Sequence, residues 1–283
     1  MIQVIKAARR AQIVAVAHLE GDLHIWDLGS GQRVLEFKTV FDHSVRLAIS
    51  HSGETVVAAN WKSGPKAGVA CYDCRTGQLI WHRSDIAQVQ HMRFSEHGPW
   101  IWCDIESKPV LCLDANTGVT LTTWPTVQHI FDGPFSPRLL LVGQVSYSIG
   151  TVDDHVEIPR LNDSFRDAAF TPSGIILCER DVVRCVAAET GQEHWRYLVP
   201  EGDYMTRLSF QSDLYVYGIR SSAPGPGRVV RLMRFSLDGA SSELCSLGSN
   251  MPYDGFGDGV FITVEGQIIS LQSGEIQKQL AFT

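Results

Sequence analysis

The chain has 283 residues, 44% of them apolar and 19% charged, a globular composition that excludes an intrinsically disordered chain and leaves room for a large core. A formal net charge of −7 does not draw a phosphate backbone, so nucleic acid is not an expected partner, and no run of about 18 apolar residues offers a membrane-spanning helix. Seven cysteines, an odd number, fit a reducing compartment better than a disulfide framework, and the first ten residues lack the apolar stretch of a signal peptide, so the expected location is cytoplasmic.

Long amphipathic helical patterns are missing. Short apolar runs broken by Gly, Asp, Ser and Pro predict many short strands instead. One unit recurs along the chain: an apolar strand, then a tight turn closing on glycine. In order it reads Leu23-His-Ile-Trp-Asp-Leu-Gly-Ser-Gly31, Ala70-Cys-Tyr-Asp-Cys-Arg-Thr-Gly77 and Leu111-Cys-Leu-Asp-Ala-Asn-Thr-Gly118. A degenerate copy, Ser148-Ile-Gly-Thr-Val-Asp-Asp-His155, precedes Arg184-Cys-Val-Ala-Ala-Glu-Thr-Gly191, Arg234-Phe-Ser-Leu-Asp-Gly239 and Ile268-Ile-Ser-Leu-Gln-Ser-Gly274. The spacing averages about 40 residues, and a period of about 40–45 with four strands per repeat is that of a β-propeller. The predicted fold is all-β: one domain, residues 1–283, forming a seven-bladed propeller of four-stranded antiparallel blades. The blades fall at residues 1–37, 44–83, 88–124, 127–161, 165–198, 204–247 and 251–280.

The letters of the unit have physical reasons. The glycine supplies the left-handed conformation that a short hairpin with a bulge needs. The aspartate four residues earlier (Asp27, Asp73, Asp114) can accept from backbone N–H groups of the turn. Trp81 and Trp195, four residues after their glycines, can fill the wedge between neighbouring blades. Asp73-x-x-Thr-Gly77-x-x-x-Trp81 resembles the docking repeat of quinoprotein-type (PQQ-like) propellers, and Thr190-Gly191-x-x-x-Trp195 is similar to its second half. Ile25-Trp26-Asp27 resembles the WD dipeptide of WD40 repeats. Blades 4, 6 and 7 depart from the quinoprotein pattern, and the Gly-His pair usual in WD40 repeats is not evident.

Cys71-x-x-Cys74 could suggest a metal or redox site. The repeat argues otherwise: Cys71, Cys112 and Cys185 share a register position with Ile25, Met233 and Ile268, so they are expected buried and free. On a strand, Cys71 and Cys74 point to opposite faces. Cys103 and Cys112 become cross-strand neighbours if their hairpin turns at Ser107-Lys108. The ten histidines show no ligand spacing, and no phosphate-cradling loop or nucleophile elbow is present, so no catalytic residue, metal or cofactor is expected. The quinoprotein cofactor is not implied, because that family's dehydrogenases are larger and exported.

The functional expectation is a non-enzymatic protein-binding propeller. Its partner is another protein, with no nucleic acid and no membrane, and the acidic balance favours a basic one. A finer version makes the chain the immunity or inhibitor partner of a bacterial toxin; a scaffold subunit of a larger assembly is a further version. The alternative is a propeller hydrolase or lyase, with Asp42, His43, Asp85, Asp203 and Asp254 around one entrance. Long insertions at residues 62–68 and 221–227, and links at 38–43, 199–203 and 248–254, all emerge at one end of their blades. The expected partner-binding residues there are Asp42, His43, Trp61, Lys66, Asp203, Tyr204, Arg220, Tyr253, Asp254 and Phe256. The competing expectation is that these loops are decoration and the aromatics are core.

Overall fold

The computed structural model describes residues 2–8, 10–42, 45–61, 67–124, 127–143, 146–150, 155–159, 165–212, 215–222, 228–247, 256, 259–263 and 265–282. Every strand in them belongs to an up-and-down antiparallel sheet whose spatial order is its sequence order. Blade 1 holds β1 (Ile2–Ala7), β2 (Ile13–His18), β3 (Asp22–Asp27) and β4 (Gln32–Lys38). Blade 2 holds β5 (Val45–Ile49), β6 (Thr55–Asn60), β7 (Val69–Asp73) and β8 (Leu79–Arg83). Blade 3 holds β9 (Val89–Phe94), β10 (Trp100–Ile105), β11 (Val110–Asp114) and β12 (Thr120–Trp124). Blade 4 holds β13 (His129–Gly133), β14 (Ser136–Val142), β15 (Ser146–Gly150) and β16 (His155–Pro159). Blade 5 holds β17 (Phe165–Thr171), β18 (Gly174–Glu179), β19 (Val182–Val186) and β20 (Glu193–Leu198). Blade 6 holds β21 (Asp203–Ser212), β22 (Tyr215–Ser222), β23 (Val230–Ser236) and β24 (Ser241–Ser246). Blade 7 shows three strands among the described residues: β25 (Val260–Ile262), β26 (Gln267–Ser270) and β27 (Ile276–Gln279). An isolated antiparallel bridge from Phe256 to Phe261 flanks them.

The chain packs as two compact units. One comprises Met1–Gln128, Pro252–Ile269 and Ile276–Thr283; the other comprises His129–Met251 and Ser270–Glu275. In the first unit β1 lies beside β5 and β5 beside β9; in the second, β13 lies beside β17 and β17 beside β21. First strands therefore gather together, and fourth strands lie outermost. The burial patterns agree: β18 is buried at all six positions, whereas β4 has none buried. Because each blade is a meander, its second-to-third loop and the link to the next blade leave at one end, the loop end. The first-to-second and third-to-fourth turns lie at the other, the turn end.

Faces of neighbouring blades carry alternate side chains into shared layers. Ala15, Leu23 and Ile25 meet Leu47, Val56 and Tyr72 between blades 1 and 2. Tyr147 and Ile149 meet Phe170, Ile175 and Leu177 between blades 4 and 5. Each fully buried Val, Leu, Ile or Phe among them contributes about 1.5–3 kcal/mol of transfer free energy. Blade 7 packs on blade 1 in the same way, through Ile262, Ile268 and Leu280 against Ile5, Val14 and Val16. In the buried Glu179–Arg184 pair the oxygens and nitrogens meet at 3.1 Å, and the Tyr147 hydroxyl donates to the same carboxylate at 2.7 Å.

The seams repeat one device. Gly118 has φ +72°, a conformation that glycine adopts without strain, and a Cβ there would stand 2.7 Å from Cε3 of Trp81. The Trp81 indole lies over that glycine and donates from Nε1 to the carbonyl of Ala115 at 2.8 Å. Trp195 does the same one seam into the second unit, against Gly239 and the carbonyl of Leu237 at 2.8 Å. Elsewhere other residues cover the glycine: Phe37 over Gly77, Val156 and Ile158 over Gly191, and Lys278 over Gly31. Beneath the turns, Asp73 Oδ1 accepts from the backbone N–H groups of Arg75 and Thr76, both at 2.8 Å, and Asp114 accepts from Asn116 and Thr117 likewise. Asp27 accepts from Ser30.

The thiols at the shared register position, Cys71, Cys112 and Cys185, are buried and none of the three is in a disulfide. Cys71 faces the layer between blades 2 and 3, and Cys74 the layer between blades 1 and 2, so the pair cannot pinch one ion. Burial pushes both thiols up to about 12, which leaves them protonated. The expected Cys103–Cys112 neighbours are corrected. The hairpin pairs Cys103 with Leu111 and Trp102 with Cys112, because its turn is centred on Ser107, which takes a left-handed φ of 54°. That shift of half a residue in the turn is one residue in register, and it sends the two thiols to opposite faces. The degenerate turn at 151–154 lies outside the described residues.

Candidate partner-binding site

Three of the expected residues, Asp203, Tyr204 and Arg220, come together at the loop end of blade 6. The local reason is cross-strand register. β22 and β23 pair Arg220 with Arg231, two like charges directly opposite, which alone is destabilising. The flanking strands each supply a carboxylate that bridges both. From β21, Asp203 Oδ2 lies 3.2 Å from Arg220 Nε and 3.6 Å from Arg231 Nη1. From β24, Glu243 Oε2 lies 3.2 Å from Arg231 Nε and 3.6 Å from Arg220 Nη2. Arg220 also donates to the hydroxyl of Tyr197 on β20 at 2.8 Å, tying blade 5 to blade 6. Nearer the loop, Arg228 donates to the Tyr204 hydroxyl and to Ser221 Oγ, both at 2.9 Å.

The square is graded in exposure. Arg220 is 14% exposed and Asp203 16%, Arg231 is 25% and Glu243 43%, so the inner pair is fixed and the outer pair meets solvent. Mutual ion pairing holds long side chains that would otherwise lose rotamer freedom on binding, which is how a surface becomes preorganised. Each carboxylate is committed to two guanidinium groups, which suits neither a general base nor a metal ligand. Among the described residues, no group of three or more His, Cys, Asp or Glu could hold a metal ion.

Four members escaped the sequence reading: Tyr197, Arg228, Arg231 and Glu243. Arg231 stands opposite Arg220, whereas a hairpin centred on the 221–227 insertion puts Arg228 there, so its place was not legible from that insertion. Glu243 lies four residues after its turn glycine, as Trp81 and Trp195 do, but it pairs with Met233 and faces blade 5, whereas those tryptophans face the following blade, so that position gave no signal for it. Tyr197 comes from the preceding blade, which only packing reveals.

The other expected residues are distributed as follows. In the first unit, at the loop end of blade 2, Trp61 is 38% exposed and its ring lies under the Arg46 guanidinium, 5.5 Å from the centroid. Asp42 is exposed on the link into blade 2. Asp85, on the link out of blade 2, is locked to Arg83 by two 2.7 Å hydrogen bonds, and that guanidinium holds its carboxyl below the usual range. Phe256 is corrected: it is 5% exposed and packs edge-on against Phe261 at 4.9 Å, so it belongs to the core. Phe261, at once its bridge partner and the ring it packs on, draws it inward. His43, Lys66, Tyr253 and Asp254 lie outside the described residues.

The fold has a solved counterpart. The chain is similar to the β-propeller domain of Cps50 (Swd1) from Myceliophteria thermophila, with 13% sequence identity, 96% of this chain and 94% of that chain covered, and a TM-score of 0.70. This chain is a seven-bladed β-propeller. At that identity the likeness is one of fold, and nothing in it singles out the quinoprotein-type repeat. No protein-family model matches the propeller, and no curated protein matches it.

Proposed function

We propose that this propeller is a non-enzymatic binding module that engages another protein through the loop ends of its blades. The observation that carries the reading is the Arg220–Arg231–Asp203–Glu243 square with its two tyrosines, a preorganised surface rich in the Arg and Tyr that dominate binding energies. Trp61 over Arg46 offers a second anchor of the same type in the other unit. In the finer form of the proposal, the chain neutralises a basic protein such as a toxin domain. That form rests on the net charge of −7, which speeds the approach of a basic partner without choosing it. The blade 6 cluster itself, three arginines to two carboxylates, suits a neutral or acidic patch within such a partner.

The experiment is affinity capture from native extract with the wild type, Trp61→Ala, Arg231→Glu and a turn-end control, Asn116→Ala. A partner identified by mass spectrometry is then titrated against all four. The proposal expects Trp61→Ala and Arg231→Glu each to weaken binding by more than about 1 kcal/mol, with the control unchanged. Equal binding by all four, or loss only in the control, overturns the assignment of the loop end.

A further inference from the structure

Blades 7 and 1 are neighbours in space but not in sequence, so side-chain packing rather than a short link of chain holds their seam. Blade 1 carries two histidines on the face it turns to blade 7. β2 and β3 pair Val16 with His24, and Val16 packs with Ile262, Ile268 and Leu280 of blade 7, so His24 shares that face. His18 lies two residues beyond Val16 on the same face, at the loop end. The two rings stand 4.2 Å apart between centroids, tilted by 44°, and His24 is 6% exposed. Buried ring nitrogens are as a rule hydrogen-bonded. Here His18 Nε2 and His24 Nδ1 find no partner among the described residues, and neither does Nε1 of Trp26, two residues along β3 on that face.

The surroundings accept one proton and resist a second. Glu36, opposite His24 on β4, brings Oε1 to 3.7 Å from His24 Nε2, and Asp22 adds a second negative charge. Arg33 acts against a charge on His24, and the chain's amino group against one on His18. Glu20 and Lys38 are exposed. From blade 7, Glu265 is exposed at the loop end, and Lys278 donates to the Gly29 carbonyl at 3.0 Å, at the turn end. Two imidazolium rings at this separation repel each other, and the facing side chains of blade 7 that pack with Val16 are aliphatic. Burial, the largest cause, holds both rings below the ordinary histidine value of about 6.5, and His24 pushes His18 down further.

We propose that His18 and His24 form an acid-released latch on the seam between blades 7 and 1, shut while both rings are neutral and opened when both take up a proton. A lowered ring binds its proton more readily once the seam parts. The latch therefore holds fully above about pH 6.5 and weakens as pH falls below it. Each proton taken up on opening shifts the opening equilibrium by up to about tenfold per pH unit, and two protons by up to about a hundredfold.

The test follows backbone hydrogen exchange of the whole chain by mass spectrometry at about pH 7.5 and about pH 5.5, with rates corrected for the intrinsic effect of pH. Between the two, protection in β1, β2 and β27 is expected to fall at least about tenfold more than in β6 and β7 of blade 2. The double variant His18→Gln/His24→Phe carries no titrating ring in the seam and is expected to lose that excess. His18→Gln alone, at the less buried ring, keeps the fold and is expected to halve the logarithmic slope with pH. His97→Gln, at an exposed histidine, leaves the response as it is in the wild type. The proposal is overturned if β1, β2 and β27 keep their protection in acid, or if blade 2 loosens equally, which is general acid unfolding. It is likewise overturned if the slope is unchanged in His18→Gln or the excess persists in the double variant.

Discussion

The seam device can be tested by coupling Gly118 to Trp81. Gly118→Ala forces alanine into φ +72°, at a cost of about 1–2 kcal/mol for the left-handed conformation alone. It also drives a Cβ to within 2.7 Å of the indole. The ring cannot retreat freely, because its N–H is held by Ala115 and losing that hydrogen bond costs about 1 kcal/mol. Overpacking adds about 1–3 kcal/mol. Trp81→Leu, at a side chain 9% exposed, costs about 2–4 kcal/mol by itself and removes the obstacle. In that background Gly118→Ala should cost only the backbone share. Urea unfolding followed by circular dichroism of the wild type, both single variants and the double variant should therefore give a coupling of about 1–3 kcal/mol. Additivity within about 0.5 kcal/mol would refute the reasoning, because the ring would then not be held against the glycine.

Cys71→Ala should cost about 1–2 kcal/mol in the same unfolding assay, and bulky maleimide should label Cys245, the half-buried thiol, long before Cys71, Cys112 or Cys185. The carboxyls of Asp73, held down chiefly by the Thr76 backbone N–H, and of Asp114, held down chiefly by the Thr117 hydroxyl, titrate below their unfolded values of about 3.9. Their contribution is present above that pH and is lost as pH falls through the lowered folded values. Melting temperature against pH should accordingly show a shallower acid limb in the Asp73→Asn/Asp114→Asn double variant; an unchanged limb contradicts the turn assignment. Glu179→Ala strands Arg184 in the interior and should cost about 3–5 kcal/mol, whereas Tyr147→Phe removes one hydrogen bond to the carboxylate and should cost less, both read by urea unfolding.

Local chemistry made the repeat legible. Glycine at a left-handed turn position, aspartate beneath the turn N–H groups and a period of about 40 residues are constraints that a single hairpin imposes on its own letters, so they appear in sequence. The same holds for the thiols: their register with Ile25 and Ile268 placed them in the core, where they are found, although Met233, counted at the same position, faces the opposite layer because its turn is one residue shorter. The Cys103–Cys112 reading failed because a half-residue displacement of the turn is invisible in composition yet reverses every side chain's face. Phe256 was misplaced for a related reason: an aromatic near a long link reads alike whether it points to solvent or meets Phe261. Tertiary packing alone decided the rest. Two arginines opposite each other become a held ion-pair cluster only because Asp203 and Glu243 arrive from the two flanking strands and Tyr197 from another blade. Sequence determines what each strand and turn can do locally, whereas contacts between blades depend on residues far apart along the chain that no local pattern constrains.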